Sequence, residues 1–185
     1  MAIWPYCLMP NHVRIIAVPG DEDGLRRTFR YVHRHYTGYI NARLRVTGHL
    51  WQGRFSSVAM GEVHLVSALR YVALNPVRAR LAARAEEWRW SSTRALLAGE
   101  STPYVDVAPA LDRVGNFTAF RGEAFDEAMS YAALRKAESV GRPVGSKEWL
   151  EEWRRKPDSC LLPPSADQSR RRSRDGKKGL LHVSS

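Results

Sequence analysis

The first quarter of the chain shows short apolar runs and then helical spacing. Ile3–Met9 and Val13–Val18 are apolar runs, broken only at Arg14, on either side of the turn residues Pro10 and Asn11, which predicts a β-hairpin. Between residues 25 and 44 the apolar side chains fall near one helical stripe, which predicts a long amphipathic helix. The residues Thr47 and Gly48 should break this helix.

The next segments alternate less regularly. Gly53–Met60 predicts a further strand, and Gly61 and Glu62 open a second helix that Pro76 should end, because the residue before a proline avoids the helical region. The remaining predicted helices are Thr93–Leu97, Phe125–Ala137 and Lys147–Arg155. From Pro157 onward the chain is rich in Pro, Ser and Arg, which predicts disorder.

Length and composition favour one main domain with additions. The 185 residues divide into a main domain at 1–100, a helical extension at 101–156 and a basic tail at 157–185. No apolar run approaches the length of a membrane span, and the start lacks a secretory signal, so we expect a soluble cytoplasmic protein without a membrane partner. Cys7 and Cys160 are far apart and predict ordinary thiols rather than a disulfide or a zinc site.

The charge is strongly positive and unevenly distributed. The chain carries a formal net charge of +10, divided as +7 over residues 1–100, −2 over 101–169 and +5 over 170–178. Such a balance favours a phosphate polymer as partner, since neutralised phosphates release condensed counterions. Arginines that only solvate the surface are the alternative, and for the tail a nonspecific DNA arm and solvated disorder without function both stay open.

Six ordered segments resemble one known family. They are Tyr6–Arg14 (YCLMPNHVR), Tyr36–Asn41 (YTGYIN), Gly48–Phe55 (GHLWQGRF), Arg70–Ala79 (RYVALNPVRA), Trp90–Ser92 (WSS) and Gly141–Ser146 (GRPVGS). Together they resemble the REP-associated tyrosine transposases, a branch of the HUH single-strand endonuclease superfamily. The resemblance implies an α+β fold with a ferredoxin-like antiparallel sheet, helices on one face and C-terminal helical additions.

The resemblance also implies a reaction and a set of residues. In the family, two histidines on one strand hold a divalent metal, which polarises the scissile phosphate, and a helix presents a tyrosine nucleophile. The phenolate forms a 5′-phosphotyrosine and releases a 3′ hydroxyl, so the strand can be rejoined without a nucleotide cofactor. By position the nucleophile is Tyr71, and His12 and Asn75 are the metal ligands for Mg²⁺ or Mn²⁺.

The chain departs from the family pattern at two places. Arg14 stands where the second histidine is expected, and a guanidinium has only hydrogen-bond donors, so it cannot ligate a metal and instead suits a phosphate. The metal is therefore expected to bind weakly or to be absent. Relatives also carry a further strand and helix before the segment that starts at Tyr6, so we expect an N-terminally incomplete sheet with an exposed strand edge, from truncation or a mis-assigned start.

Further residues are candidates for DNA contacts, and each has a structural alternative. The candidate contacts are Arg14, Trp51, Arg54, Arg70, Arg78 and Arg80. Trp51 could equally be a core residue, Tyr71 a buried helix aromatic, Asn75 a helix cap and His12 a polar strand residue. His33 and His35 match the family's pattern of two histidines separated by one residue, but they fall on a predicted helix. Their side chains would diverge there by about 200°, so we reject them as a metal site.

Two functions remain open at this point. One is cleavage and rejoining of single-stranded or hairpin DNA through Tyr71 and a metal. The other is a non-catalytic DNA-binding remnant of a transposase, which Arg14 favours. Relatives are monomers or dimers, so a homodimer stays open.

Overall fold

The computed structural model describes residues 1–122, 131–132, 134, 136–137 and 141–155, and within them the protein is mixed α/β with a two-stranded antiparallel sheet. The strands are β1 (Ala2–Leu8) and β2 (Val13–Val18). The helices are α1 (Gly24–Leu44), α2 (Glu62–Ala73), α3 (Asn75–Arg78), α4 (Thr93–Ala98), α5 (Ala108–Val114), α6 (Phe117–Gly122) and α7 (Lys147–Arg155), with a 3-10 turn at Ala85–Glu87. The predicted helix Phe125–Ala137 lies largely outside the described residues, as does the tail from Pro157.

The predicted hairpin is confirmed. The two strands are joined by a tight turn in which the backbone N–H of Met9 donates to the carbonyl of His12 at 2.8 Å. The register shifts between Ile3 and Tyr6. Pro5 lies in this interval, and a proline has no N–H to contribute to the ladder, which explains the irregularity.

The second edge of β1 is covered, so the prediction of an exposed edge is wrong for this strand. The N–H of Ser92 donates to the carbonyl of Tyr6 at 3.0 Å, and the N–H of Asp106 donates to the carbonyl of Ile3 at 2.8 Å. The N–H of Tyr6 in turn donates to Ser92 Oγ at 2.8 Å. Irregular chain thus supplies the hydrogen bonds that another strand would have made.

Helix α2 forms the centre of the core. Its apolar positions are buried as their spacing predicts, and they pack with both strands and with later helices. The buried apolar residues of α2 are Leu65, Ala68, Leu69, Tyr71, Val72 and Ala73. Val105, Phe117 and Tyr131 join the same cluster, so the segment after residue 100 completes the core that the first hundred residues begin.

The helix ends close to where Pro76 predicted, but helical structure resumes at once. α2 stops at Ala73, and Pro76 lies in the first turn of α3. A proline is tolerated there because the first N–H groups of a helix have no intrahelical partner.

The predicted strand Gly53–Met60 is wrong. Of these residues only Met60 forms a β-bridge, and its partner is Val144. Met60 lies after the residues that pack on α1. Phe55 stacks on Phe29 of α1 with ring centroids 4.7 Å apart, and Trp51 stacks on His33 at 4.2 Å. These aromatic contacts hold the segment against a helix, and neither of the two strands that the structure describes pairs with its backbone.

Helix α7 is positioned by a close approach of its Trp149 ring to the backbone at two glycines. A Cβ added to Gly145 would lie 2.2 Å from the Trp149 ring, and one added to Gly61 would lie 3.1 Å from it. Glycine at both positions therefore lets Trp149 seat against the start of α2. No helix among the described residues is both long and apolar enough to cross a bilayer.

Candidate nucleic-acid interface

The hairpin turn presents His12 to the end of α2. Its imidazole is half-buried, with Nδ1 2.8 Å from Asn11 Oδ1 and Nε2 3.1 Å from Asn75 Nδ2. In this arrangement Nδ1 carries the hydrogen and Nε2 accepts one from the Asn75 amide, which describes a neutral ring. Burial lowers the pKa of His12, and the nearby charge of Arg14 lowers it further.

Asn75 connects His12 to an arginine. Its side chain is 7% exposed, and Arg78 Nη2 donates to its Oδ1 at 3.0 Å. Because Asn75 begins α3, it lies just after α2 rather than within it, yet it still meets His12, which is 63 positions away in the chain. The side-chain amide of Asn75 forms hydrogen bonds with His12 and Arg78. No side-chain hydrogen bond caps α3.

Tyr71 lies beneath two guanidinium groups. Arg78 Cζ is 3.8 Å from the centroid of its ring and Arg14 Cζ is 4.8 Å from it, within the range of cation–π contacts. The ring of Tyr131 meets it edge-on at 4.8 Å. Tyr71 is only 6% exposed, so most of its surface is covered in this conformation.

We name these five residues the Tyr71 cluster: His12, Arg14, Tyr71, Asn75 and Arg78. The positive field of the two arginines reaches Cys7, where it lowers the pKa, but burial is the larger effect and raises the pKa of this thiol to about 11. Cys7 is therefore a neutral, buried thiol, in line with its prediction as an ordinary one. The cluster contains two guanidinium groups and no carboxylate among its five residues.

As they are arranged here, the residues of the Tyr71 cluster do not fit a divalent metal. They offer one imidazole nitrogen and one amide oxygen, and that oxygen already accepts a hydrogen bond from Arg78. Two guanidinium groups add repulsion for a cation. No group of three or more His, Cys, Asp or Glu side chains suited to a metal occurs within the described ranges of the chain. Guanidinium groups are instead donors of the kind that hold a phosphate.

The other predicted DNA contacts lie elsewhere. Arg70 is 4% exposed and donates to the backbone carbonyl of Phe120 while stacking on its ring at 4.2 Å. Trp51 is half-buried and its Nε1 donates to the carbonyl of His33 at 3.3 Å, so it packs the loop onto α1. Arg54 is exposed on that loop, and Arg80 is exposed in the turn after α3 with a left-handed φ of 57°.

Two features of this region were not assigned to the site from the sequence. Trp90 is 51% exposed with Arg89 stacked on it at 4.5 Å, and its carbonyl accepts from the N–H of Leu8, which places it beside the hairpin end that carries His12. The alternation of Trp88, Arg89 and Trp90 was the available signal. No sequence signal pointed to Tyr131, because a local pattern does not indicate which distant aromatic side chain a helix residue will contact.

Comparison with known proteins adds no relative. No family model, curated protein or solved structure matches this chain.

Proposed function

We propose that this protein binds single-stranded or hairpin DNA, holds a phosphate of the strand at the Tyr71 cluster, and does so without cutting. The observation that carries the proposal is the pair of guanidinium groups over the ring of Tyr71, at the place where the family resemblance predicts a metal. Guanidinium groups bind phosphate oxygens through paired hydrogen bonds and need no cation.

Two further observations support DNA as the ligand. The net charge of +10 favours a phosphate polymer, and residues 1–100, which include the cluster, carry +7 of it. Trp90 and Arg89 offer a partly exposed stacking surface beside the same hairpin. Bases stack on such rings with little regard to sequence. The strand thus has a phosphate site and a base site within one region.

The finer fold assignment is part of the proposal. A hairpin with His12 immediately before its second strand, packed against a helix that carries Tyr71, is the arrangement expected of a ferredoxin-like sheet of the HUH type. We infer from the six sequence blocks that the chain derives from a tyrosine transposase. The arginine at position 14 is then the change that turned a metal ligand into a phosphate ligand.

Metal-dependent cleavage through Tyr71 is the second candidate function. The contact between His12 Nε2 and the Asn75 amide favours it, because these are the two metal ligands that the resemblance implies and the fold brings them together. It requires the amide oxygen to turn toward His12 and Tyr71, which is 6% exposed, to reach the DNA strand.

One experiment separates the two functions. The protein is incubated with a labelled DNA hairpin and a labelled single strand, with and without Mn²⁺, and both binding and covalent adducts are measured. We expect binding that is weakened in Arg14→Met and Arg78→Met and retained in the control Arg155→Met, with no adduct. An Mn²⁺-dependent adduct that disappears in Tyr71→Phe would establish the second candidate, and absence of any binding would refute both.

A further inference from the structure

The longest helix lies in a stretch of chain without acidic side chains. Between Asp23 and Glu62 the sequence contains no Asp or Glu, and its seven arginines are Arg26, Arg27, Arg30, Arg34, Arg43, Arg45 and Arg54. Two acids just before α1 pair with its first two arginines, at 3.0 Å for Arg26 and 2.6 Å for Arg27, and both pairs are exposed. Exposed ion pairs of this kind are weak, so they restrain the two arginine side chains only slightly.

The helix has one face that is covered and one that is open. Phe29, His33 and Tyr36 contact the rings of the loop after the helix, with centroid distances between 4.2 and 5.7 Å. The 3.6-residue repeat places Tyr31 on the opposite side of the helix from these contacts. The loop therefore leaves the opposite face of α1 to solvent.

We call this open side the outer face of α1, formed by Arg30, Tyr31, Arg34, His35 and Tyr39. Tyr31 is 65% exposed and Tyr39 is 58% exposed, and the Tyr31 ring lies 4.1 Å from the His35 ring. Arg30 and Arg34 are exposed and form no ion pair with any residue that the structure describes. Aromatic rings and unneutralised guanidinium groups thus share one surface.

We propose that the outer face of α1 is a second binding surface for single-stranded DNA, on which bases stack on Tyr31 and Tyr39 while Arg30 and Arg34 contact phosphates. The proposal takes its ligand class from the function proposed above and adds a surface separate from the Tyr71 cluster. Exposed aromatics interleaved with arginine are the combination that binds unpaired strands, because every base has a face to stack and every nucleotide a phosphate.

Spacing and charge favour this occupant over others. The two tyrosines are eight residues apart, which corresponds to about 12 Å along the helix axis, so one strand running along α1 can contact both. Paired bases of a duplex present no free face to a tyrosine. An acidic protein would use the arginines, but it would gain little from two exposed tyrosine rings.

The test compares substitutions on the outer face with matched controls in the full chain. Binding of a labelled oligo-dT of about 30 nucleotides, longer than the site of a typical single-strand binding fold, and of a duplex of equal length is measured by fluorescence anisotropy. The variants are Tyr31→Ala with Tyr39→Ala, and Tyr31→Phe with Tyr39→Phe. Tyr104→Ala is the control, because Tyr104 is 76% exposed and lies in a loop near Asp106.

We expect the double alanine variant to lose about tenfold or more of its affinity for the single strand, since stacking accounts for that much per base. The double phenylalanine variant and the control should bind as the unchanged protein does, and the duplex should be affected little. Equal losses in the alanine and phenylalanine variants, or equal losses for duplex and single strand, would overturn the proposal. So would displacement of the oligonucleotide by polyglutamate at equal charge concentration.

The outcome also separates this proposal from the function on which it rests. If Arg78→Met weakens binding and the double alanine variant does not, the Tyr71 cluster stands and the outer face of α1 is excluded. If the unchanged protein binds no single strand at all, both proposals fail. Circular dichroism of each variant checks that α1 remains helical.

Discussion

Replacing Arg78 with methionine tests the Tyr71 cluster most directly. The change leaves Asn75 Oδ1 without its donor in a side chain that is 7% exposed, which costs about 1–3 kcal/mol. It also removes the guanidinium from the rings of Tyr71 and Tyr131, a loss of about 0.5–2 kcal/mol. The methionine sulfur regains about 0.3–1.5 kcal/mol on the same rings. We therefore expect the free energy of unfolding to fall by about 1–3 kcal/mol.

A second substitution isolates the hydrogen bond. In Asn75→Ala the acceptor is absent, so Arg78→Met should cost less in that background than in the unchanged protein. The difference is a coupling free energy of about 0.5–3 kcal/mol, typical of side chains in direct contact. A coupling near zero would mean that the bond between Arg78 and Asn75 contributes nothing.

The same variant should report on DNA binding. If Arg78 neutralises one phosphate, its loss makes the slope of log K against log salt less negative by about 0.7 for a single strand. Urea unfolding followed by tryptophan fluorescence gives the stability, and anisotropy titrations at several salt concentrations give the slope. An unchanged urea midpoint together with an unchanged slope would refute the role assigned to Arg78.

Three further predictions follow from the same structure. Because the pKa of His12 is lowered, its contribution to stability is complete above the ordinary histidine pKa and is lost as the pH falls through the lowered pKa. His12→Gln should therefore flatten this part of a plot of urea midpoint against pH. An identical plot for the variant would contradict the prediction. Arg14→His should bind Mn²⁺ about tenfold more tightly or better in calorimetry, since the side chains at positions 12 and 14 both reach the Tyr71 cluster and a repelling charge is removed. Equal affinity would show that Arg14 is not the obstacle. The Glu86 carboxylate accepts a hydrogen bond from Arg121 at 2.5 Å, and hydrogen bonds from the backbone and from arginine lower its pKa to about 2. Its contribution to the free energy of unfolding is therefore present above the ordinary glutamate pKa and is lost as the pH falls through about 2. Glu86→Gln should accordingly lower the thermal midpoint at neutral pH and make little difference below about pH 2, and an equal loss at both would point to packing instead.

Much of the local structure could be predicted because its signals are short in range. The Pro10-Asn11 turn between apolar runs gives the hairpin, and apolar spacing in α1 and α2 gives two helices with nearly correct ends. Each of these patterns depends only on neighbours within a few residues. The strand predicted at Gly53–Met60 failed because a strand needs a partner elsewhere in the chain, and here Phe55 and the preceding Trp51 dock on a helix.

The candidate site was predicted in part. His12, Arg14, Tyr71, Asn75 and Arg78 were named from the sequence, and the fold brings these five together. What the sequence did not reveal is that both guanidinium groups lie on the Tyr71 ring and that the ring is buried. These facts depend on how α2 and α3 pack against the hairpin.

The sequence by itself determined the charge, the hairpin, the long basic helix and the residues that could carry chemistry. The tertiary structure alone decided how two similar arginines are used: Arg78 covers Tyr71, while Arg70, adjacent to that tyrosine in the chain, is buried against Phe120. Periodicity states which side of a helix is apolar, but a side chain's partner across the fold depends on which distant surface packs there, and no local pattern encodes that choice.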